Sequence, residues 1–414
     1  MCKLNRLKAA INEAKLDIKE HIENINDDIN DQVENVISNI KDSLMTKEMQ
    51  EAVETVQFVL ERLKEFDKEA KQYDGYGFLL LALVKKAQLS QRISPVNGTR
   101  TTRSVHHQLD NAKRFGQYAV QMYPLSWISN LESIAKNIGV SPDAILMVHF
   151  TDEVDGGHCP KFILFLDHQV KSIVLSIRGT FCLKDAILDA VADEDSFLDG
   201  KAHKGILHGA QKILTKVLDT IKESIQQYPS YSLMITGHSL GAGTAELITM
   251  ELVSTPGLIP DTTKVQCIAL APPPVYRSHK QVSSKISSAI QIYVNNYDCV
   301  PRLSLASVAR LLAAVRAVDE LGLSLSEQLA ILTDRSENTE NIDKINDVVA
   351  GVHQDRFPDL DHPGTVYHIL NSDEDQKPVV FLSKSKIFTQ SILLLENMIL
   401  DHLHTSYETV LHSI

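Results

Sequence analysis

The sequence predicts an α/β fold with a mostly parallel central sheet, preceded by an all-helical arm. Two observations carry that prediction. From residue 105 onward, helical stretches alternate with short apolar runs, the texture of a sheet covered on both faces. Before that, residues 1–94 hold no proline, and their only glycines are Gly75 and Gly77. In the arm, apolar residues recur at Leu4, Leu7, Ile11, Ala14, Ile18, Ile22, Ile25, Ile29, Val33, Val36, Ile40 and Leu44. Steps of three and four residues trace a helical stripe. From Ile18 to Ile40 the 4-3-4 spacing occurs twice, an eleven-residue repeat that favours straight or slightly right-handed packing. A second helical stretch runs from Lys47 to Gln72. Three arrangements stay open for this amphipathic arm: a hairpin, self-association as a coiled coil, or contact with a lipid surface. Its mixed polar face, with Asn26-Asp27-Asp28, favours protein packing.

Residues 95–104, polar and carrying Pro95 and Gly98, predict a linker. The domain expected after it spans 105–414. Its strands are predicted at Ile145–Phe150, Phe162–Leu166, Ser172–Ile177, Leu233–Thr236, Val265–Leu270 and Ile292–Asn295, with PGTVYHIL and KPVVFL as the last two. KFILFLDH and VKSIVLSI, a short turn apart, predict an antiparallel hairpin. A helix is predicted over Gly205–Gln227. Between about 303 and 361 lies an insertion in which Leu305, Val308, Leu311, Leu312, Val315 and Val318 recur at helical spacing. It is expected to be a helical cap or lid.

Composition narrows the class. A chain of 414 residues, 43% hydrophobic, holds one large domain plus an appendage. A net charge of −12 argues against nucleic acid and against electrostatic docking on anionic lipid. No apolar stretch approaches the ~18–20 residues that span a bilayer. The first residues, MCKLNRLKAAINEAK, lack the apolar core of a secretory signal. The expectation is a cytoplasmic protein, with peripheral membrane contact left open. Five cysteines, widely spaced, show neither a disulfide framework nor metal-ligand spacing.

The chemistry concentrates in SLMITGHSLGAGTAELITMEL, residues 232–252. An apolar, partly β-branched run precedes a serine, and a run of helix formers follows it. A turn this sharp leaves no room for side chains beside Ser239, so Gly237 and Gly241 meet a steric need. Such an elbow exposes the serine Oγ as a nucleophile and points the next amide, that of Leu240, at a developing oxyanion. A second oxyanion donor is offered by the strand ending in Arg178-Gly179-Thr180, through the Thr180 N–H. A serine nucleophile needs a base, and the base an orienting acid. Asp298, just past a predicted strand in AIQIYVNNYDCVPRL, is the candidate acid, ahead of Asp261 and Asp319. Six histidines follow it: His353, His362, His368, His402, His404 and His412. His402, beyond the last strand, is the candidate base, with His404 in reserve. His238 is a poor base, because its side chain leaves the elbow in another direction than that of Ser239.

The segments LDHQVKSIVLSIRGT, LKDAILD, AHKG, LMITGHSLGAG, CIALAPPPV, YDCVPRL and ILDHLHTSYETVL, in this order over residues 105–414, resemble a class 3 lipase of the α/β-hydrolase superfamily. They are most like the sn-1-specific diacylglycerol lipase branch. That resemblance implies Ser239 as nucleophile, Asp298 as acid, His402 as base, and Thr180 with Leu240 at the oxyanion hole. It implies a glycerolipid substrate at a lipid–water interface, di- or triacylglycerol foremost, and no metal or organic cofactor. Animal diacylglycerol lipases carry N-terminal membrane helices where this chain has its helical arm. A phospholipase A1 or broad acylglycerol esterase with the same triad is the enzymatic alternative. A scaffold working through the arm is the non-enzymatic one.

Overall fold

The computed structural model describes residues 77–90, 98–100, 106–151, 159–180, 194–333, 339–353, 357–371, 378–389, 391–395 and 397–414, and structural statements below concern these. The stripe and second helix expected in the arm before residue 77 lie outside them. All of them fall within the unit Ala52–Ile414.

The chain order opens with α1 (Gly77–Ser90), β1 (Gly98–Arg100), α2 (His106–Leu125) and α3 (Leu131–Ile138). Three strands follow: β2 (Ile145–His149), β3 (Phe162–Asp167) and β4 (Ser172–Ile177). Next come β5 (Glu194–Phe197), β6 (Gly200–His203), α4 (Lys204–Gln227), β7 (Ser232–His238), α5 (Leu240–Ser254) and β8 (Val265–Leu270). Beyond them lie β9 (Tyr276–Ser278), α6 (Ser284–Ala289) and β10 (Ile290–Asn295). The insertion supplies α7 (Leu305–Asp319), α8 (Leu325–Thr333) and α9 (Thr339–Ala350). The chain closes with β11 (Thr365–Asn371), β12 (Pro378–Ser383), α10 (Lys386–Thr389) and α11 (His404–Ser413).

Nine strands form one sheet in the order β1-β12-β11-β10-β8-β7-β4-β3-β2. Its centre, β4 through β11, is parallel throughout. Antiparallel strands flank it, β3 and β2 on one side and β12 and β1 on the other. The expected hairpin is β3–β4, paired from Phe162↔Ile177 to Asp167↔Ser172. Both strands are buried along their whole length, which is why they read as unbroken apolar runs. Their alternation divides two cores. Phe162, Leu164 and Leu166 meet α4 and α5, whereas Ile163 and Phe165 meet α2 and α11.

Two findings differ from the sequence expectation. Residues 98–100, inside the expected linker, add an edge strand against β12, with Gly98 opposite Ser383. A small sheet, β5-β6-β9, was not foreseen. Its strands are three or four residues long and lack an apolar run, so no local pattern marks them.

The expected helical character of the insertion is met by α7, α8 and α9, and their common neighbour is α1. Leu79, Leu80, Leu81, Leu83 and Val84 of α1 are all buried. A helical stretch apolar on every side, as at Leu79 to Val84, has to be enclosed, and these three helices pack on it. Val308, Leu311, Leu312, Val315 and Val318 of α7 are buried, together with Ala306 and Ala314. Lys86 Nζ donates to the Ile331 carbonyl of α8. Gln88 clamps the C-terminal segment: its Nε2 donates to Ile392 O at 2.9 Å, and Leu394 N donates to its Oε1 at 3.0 Å.

Candidate active site

The parallel strands end on one edge, and three residues that follow them hold positive φ without being glycine: Ser239 at 59°, Ala271 at 52° and Asn296 at 41°. Each amide donates to a carbonyl of a neighbouring strand: Ser239 N to Leu270 O, Ala271 N to Tyr293 O and Asn296 N to Ile369 O. Left-handed backbone at such residues costs about 1–3 kcal/mol and persists where the surroundings over-determine it. The carboxyl edge of a parallel sheet is where such folds bind ligands.

Ser239 is the whole turn between β7 and α5. It occupies the cap position of α5, yet its hydroxyl makes no capping bond and so stays free for another partner. Space explains the glycines. A Cβ on Gly237 would meet the backbone C and O of Gly241 and stand 2.7 Å from Ala242 N. One on Gly241 would lie 2.5 Å from Ile177 O and 2.9 Å from Gly179 N. One on Gly179 would meet His238 O and come within 3.0 Å of Ser239 Cβ. The Arg178-Gly179-Thr180 segment therefore presses directly on the elbow, with Thr180 next in line and half-exposed. Leu240 opens α5, where the first amides have no intrahelical acceptor.

Ser239 Oγ lies 2.9 Å from His402 Nε2. His402 Nδ1 lies 3.0 and 3.1 Å from the two carboxylate oxygens of Asp298. All three residues are buried, Asp298 completely. Since Nδ1 faces a carboxylate, it carries the proton, which leaves Nε2 as the acceptor for the serine hydroxyl. Asp298 also accepts from Val300 N at 2.9 Å, within its own turn, and from the Tyr407 hydroxyl at 2.8 Å. Burial, and then the Asp298 charge, push the Tyr407 phenol well above its ordinary range, so it stays a donor. The YDCVPRL motif acquires a structural meaning here: Arg302 is buried, donates to Ile387 O at 3.2 Å and lies 4.8 Å over the Phe388 ring.

His402 ends a short 3-10 turn, Leu400–His402, tied to the acid's loop by Asp401. The Asp401 carboxylate accepts from Asn296 Nδ2 at 3.3 Å and Tyr297 N at 3.1 Å, and its carbonyl accepts from Asn295 Nδ2 at 3.1 Å. Burial raises its pKa to about 6.

The other candidates are used elsewhere. His404 stacks on Tyr123, ring centroids 4.3 Å apart. His362 donates to Pro301 O, His368 to Asn296 O, and His412 lies 2.7 Å from Glu408 O of its own helix. His353 follows α9, Asp319 ends α7, and Asp261 lies in a turn before β8. Sequence reasoning missed Tyr407, Asp401, Tyr123 and the partners of His238. Only the need of a buried carboxylate for donors hinted at Tyr407, and that need does not name a residue.

Comparison with known proteins finds relatives for the segment that builds this edge. Residues 174–308 match the family model described as Lipase (class 3). Diacylglycerol lipase-beta of Mus musculus is 30% identical over 184 residues, 42% of this chain and 26% of that protein. Diacylglycerol lipase-alpha of Homo sapiens is 30% identical over 174 residues, 38% of this chain and 16% of that protein. The chain thus spans about a quarter or less of the length of these relatives. Among solved structures, the native Rhizomucor miehei lipase propeptide complex is 16% identical with a TM-score of 0.45, covering 74% of this chain and 80% of its own. The matched segment contains Ser239, Asp298 and the loop ending in Thr180, so the resemblance to class 3 lipases falls on the residues that build this edge.

Proposed function

We propose that the protein hydrolyses fatty acyl esters of glycerolipids, di- or triacylglycerol foremost, through an acyl-enzyme on Ser239. The observation that carries this reading is the continuous line from Ser239 Oγ through His402 to Asp298, at 2.9 and 3.0 Å. Ser239 Oγ attacks the ester carbonyl while His402 Nε2 takes its proton. The oxyanion then forms against the amides of Leu240 and Thr180. His402 returns the proton to the departing glyceride oxygen, and water releases the fatty acid by the reverse sequence. Asp298, held by Tyr407 and the Val300 amide, keeps the imidazole tautomer and stabilises the imidazolium. The likeness to diacylglycerol lipases supports an acylglycerol over other esters.

Access has to be opened, because Ser239 is 1% and His402 4% exposed. The insertion 303–361 serves as the cap in this reading. Since its helices enclose α1, an opening movement carries α1 with it. The rim facing lipid includes Leu400 and Leu403, exposed on either side of His402, and Trp127, four residues beyond Tyr123.

The deciding experiment compares wild type with Ser239→Ala for fatty-acid release from diacylglycerol, phosphatidylcholine and a short soluble ester. Release from diacylglycerol that disappears in the variant supports the reading. Activity confined to phosphatidylcholine moves the substrate and keeps the chemistry. A wild-type protein inactive on all three and unlabelled by a fluorophosphonate at Ser239 overturns it.

A further inference from the structure

His238 precedes the nucleophile, is buried, and takes no part in the proton transfers above. Its two ring nitrogens are both engaged. Nε2 lies 2.9 Å from the carbonyl oxygen of His402, and Nδ1 lies 2.8 Å from the Tyr123 hydroxyl. A carbonyl can only accept, so Nε2 carries the proton. Nδ1 is then the acceptor, and Tyr123 is its donor. One tautomer satisfies every group, and it is neutral. Burial in this enclosure holds His238 neutral, and the neighbouring His402 and His404 act in the same sense. Tyr123 is kept protonated by its own burial.

We propose that His238 is the positioning residue of the base: its Nε2–H holds the His402 carbonyl, and the Tyr123 hydroxyl anchors the ring at Nδ1. This rests on the functional reading above and deepens it. The need for such a hold is physical. His402 belongs to a 3-10 turn of three residues, an element too short to fix a side chain by itself. Gripping its carbonyl fixes its peptide plane, and with it the direction in which the imidazole leaves the chain. The grip comes from β7, the strand that delivers Ser239, so nucleophile and base are located by adjacent residues. The same contact sets an electrostatic condition. The His238 and His402 rings lie 4.9 Å apart, and His402 becomes an imidazolium during the reaction. A cationic His238 would oppose that charge; burial of the ring disfavours it. The groups facing His238 are Tyr123 from α2, with Arg178 acting on Tyr123, then His402 and His404 from the C-terminal segment, and Tyr407 from α11.

The test uses the full chain, a soluble ester, and His238→Leu, His238→Gln and Tyr123→Phe. A glutamine Nε2 reaches the carbonyl as the imidazole Nε2 does; leucine fills space and donates nothing. His238→Leu is expected to lower kcat about 100-fold with KM little changed, the scale of a misplacement near 1 Å. His238→Gln is expected to recover kcat to within about tenfold of wild type. Tyr123→Phe keeps its ring on His404 and removes only the hydroxyl, so it reads out even where His238→Leu fails to fold. There the His238 ring loses its anchor at Nδ1, and kcat is expected to fall about tenfold with KM little changed. A merely structural role is not recovered by glutamine and does not separate kcat from KM. A folded His238→Leu with wild-type kcat overturns the proposal. So does a loss that glutamine does not recover, or a Tyr123→Phe variant with wild-type kcat. A wild-type protein that neither hydrolyses the ester nor takes up a fluorophosphonate at Ser239 fails the functional reading first, and this inference with it.

Discussion

At the scale of the residue, the elbow is governed by space that two hydrogens fill and a methyl would not. Gly241→Ala places a carbon 2.5 Å from Ile177 O, so either the elbow or β4 has to move. The expected cost is about 1–3 kcal/mol in stability, from overpacking against backbone that cannot rotate away. A larger loss is expected in fluorophosphonate labelling, because Ser239 moves with the turn; denaturant midpoints and labelling rates check both. Asp401 carries a pH signature of the opposite sign to a salt-bridged carboxylate. Burial raises its pKa from 3.8 to about 6 in the folded state. The folded chain therefore holds this proton more tightly than the unfolded chain. Its contribution is fully present below the unfolded value and is lost as pH rises through about 6, by at most about 3 kcal/mol. Denaturation between pH 4 and 7 should show that slope, and Asp401→Asn should flatten it.

At the scale of the element, α1 decides whether the insertion has a core. Its residues Leu79 to Val84 are buried on every side, and only the last turns, with Lys85, Lys86 and exposed Leu89, reach toward solvent. Leu81→Ala removes a side chain that is 1% exposed, and the expected destabilisation is about 2–5 kcal/mol. Chemical denaturation measures it. A deletion carried through Ser90 should be insoluble or inactive, since the apolar faces of α7, α8 and α9 would lose their partner. A deletion ending before Gly77 keeps α1 and should retain hydrolysis of a soluble ester. Loss of activity in the shorter deletion would show that residues before 77 contribute to the site itself.

At the scale of the whole molecule, net charge and exposed apolar residues act together. The chain carries −12 overall, and no helix among the described residues is long and apolar enough to cross a membrane. Trp127 is the single tryptophan of the sequence and is 72% exposed. If the rim with Leu400 and Leu403 meets lipid, Trp127 emission should shift to shorter wavelength on neutral vesicles containing diacylglycerol. The shift should weaken on anionic vesicles at low salt, because the protein's own charge repels them. Unchanged emission on both would remove Trp127 from the lipid-facing rim.

The sequence by itself determined what local rules determine. Buried central strands show as apolar runs, so β4 and β8 stand where their residues predict. The space-starved turn of Gly237-His238-Ser239-Leu240-Gly241 was legible because its cause lies within five residues. Asp298 was legible as a carboxylate just past a strand. Tertiary structure alone decided the rest. Two residues separate His402 from His404, yet one reaches Ser239 and the other stacks on Tyr123. Nothing local distinguishes them, since the choice is made by how the C-terminal segment packs on β7. Tyr407 on Asp298, His238 on His402 O, β1 beside β12 and α1 inside the insertion are likewise contacts between residues far apart in the chain. Periodicity and turn chemistry act over one or two turns of chain, whereas such pairs exist only once the sheet has closed the distance between them.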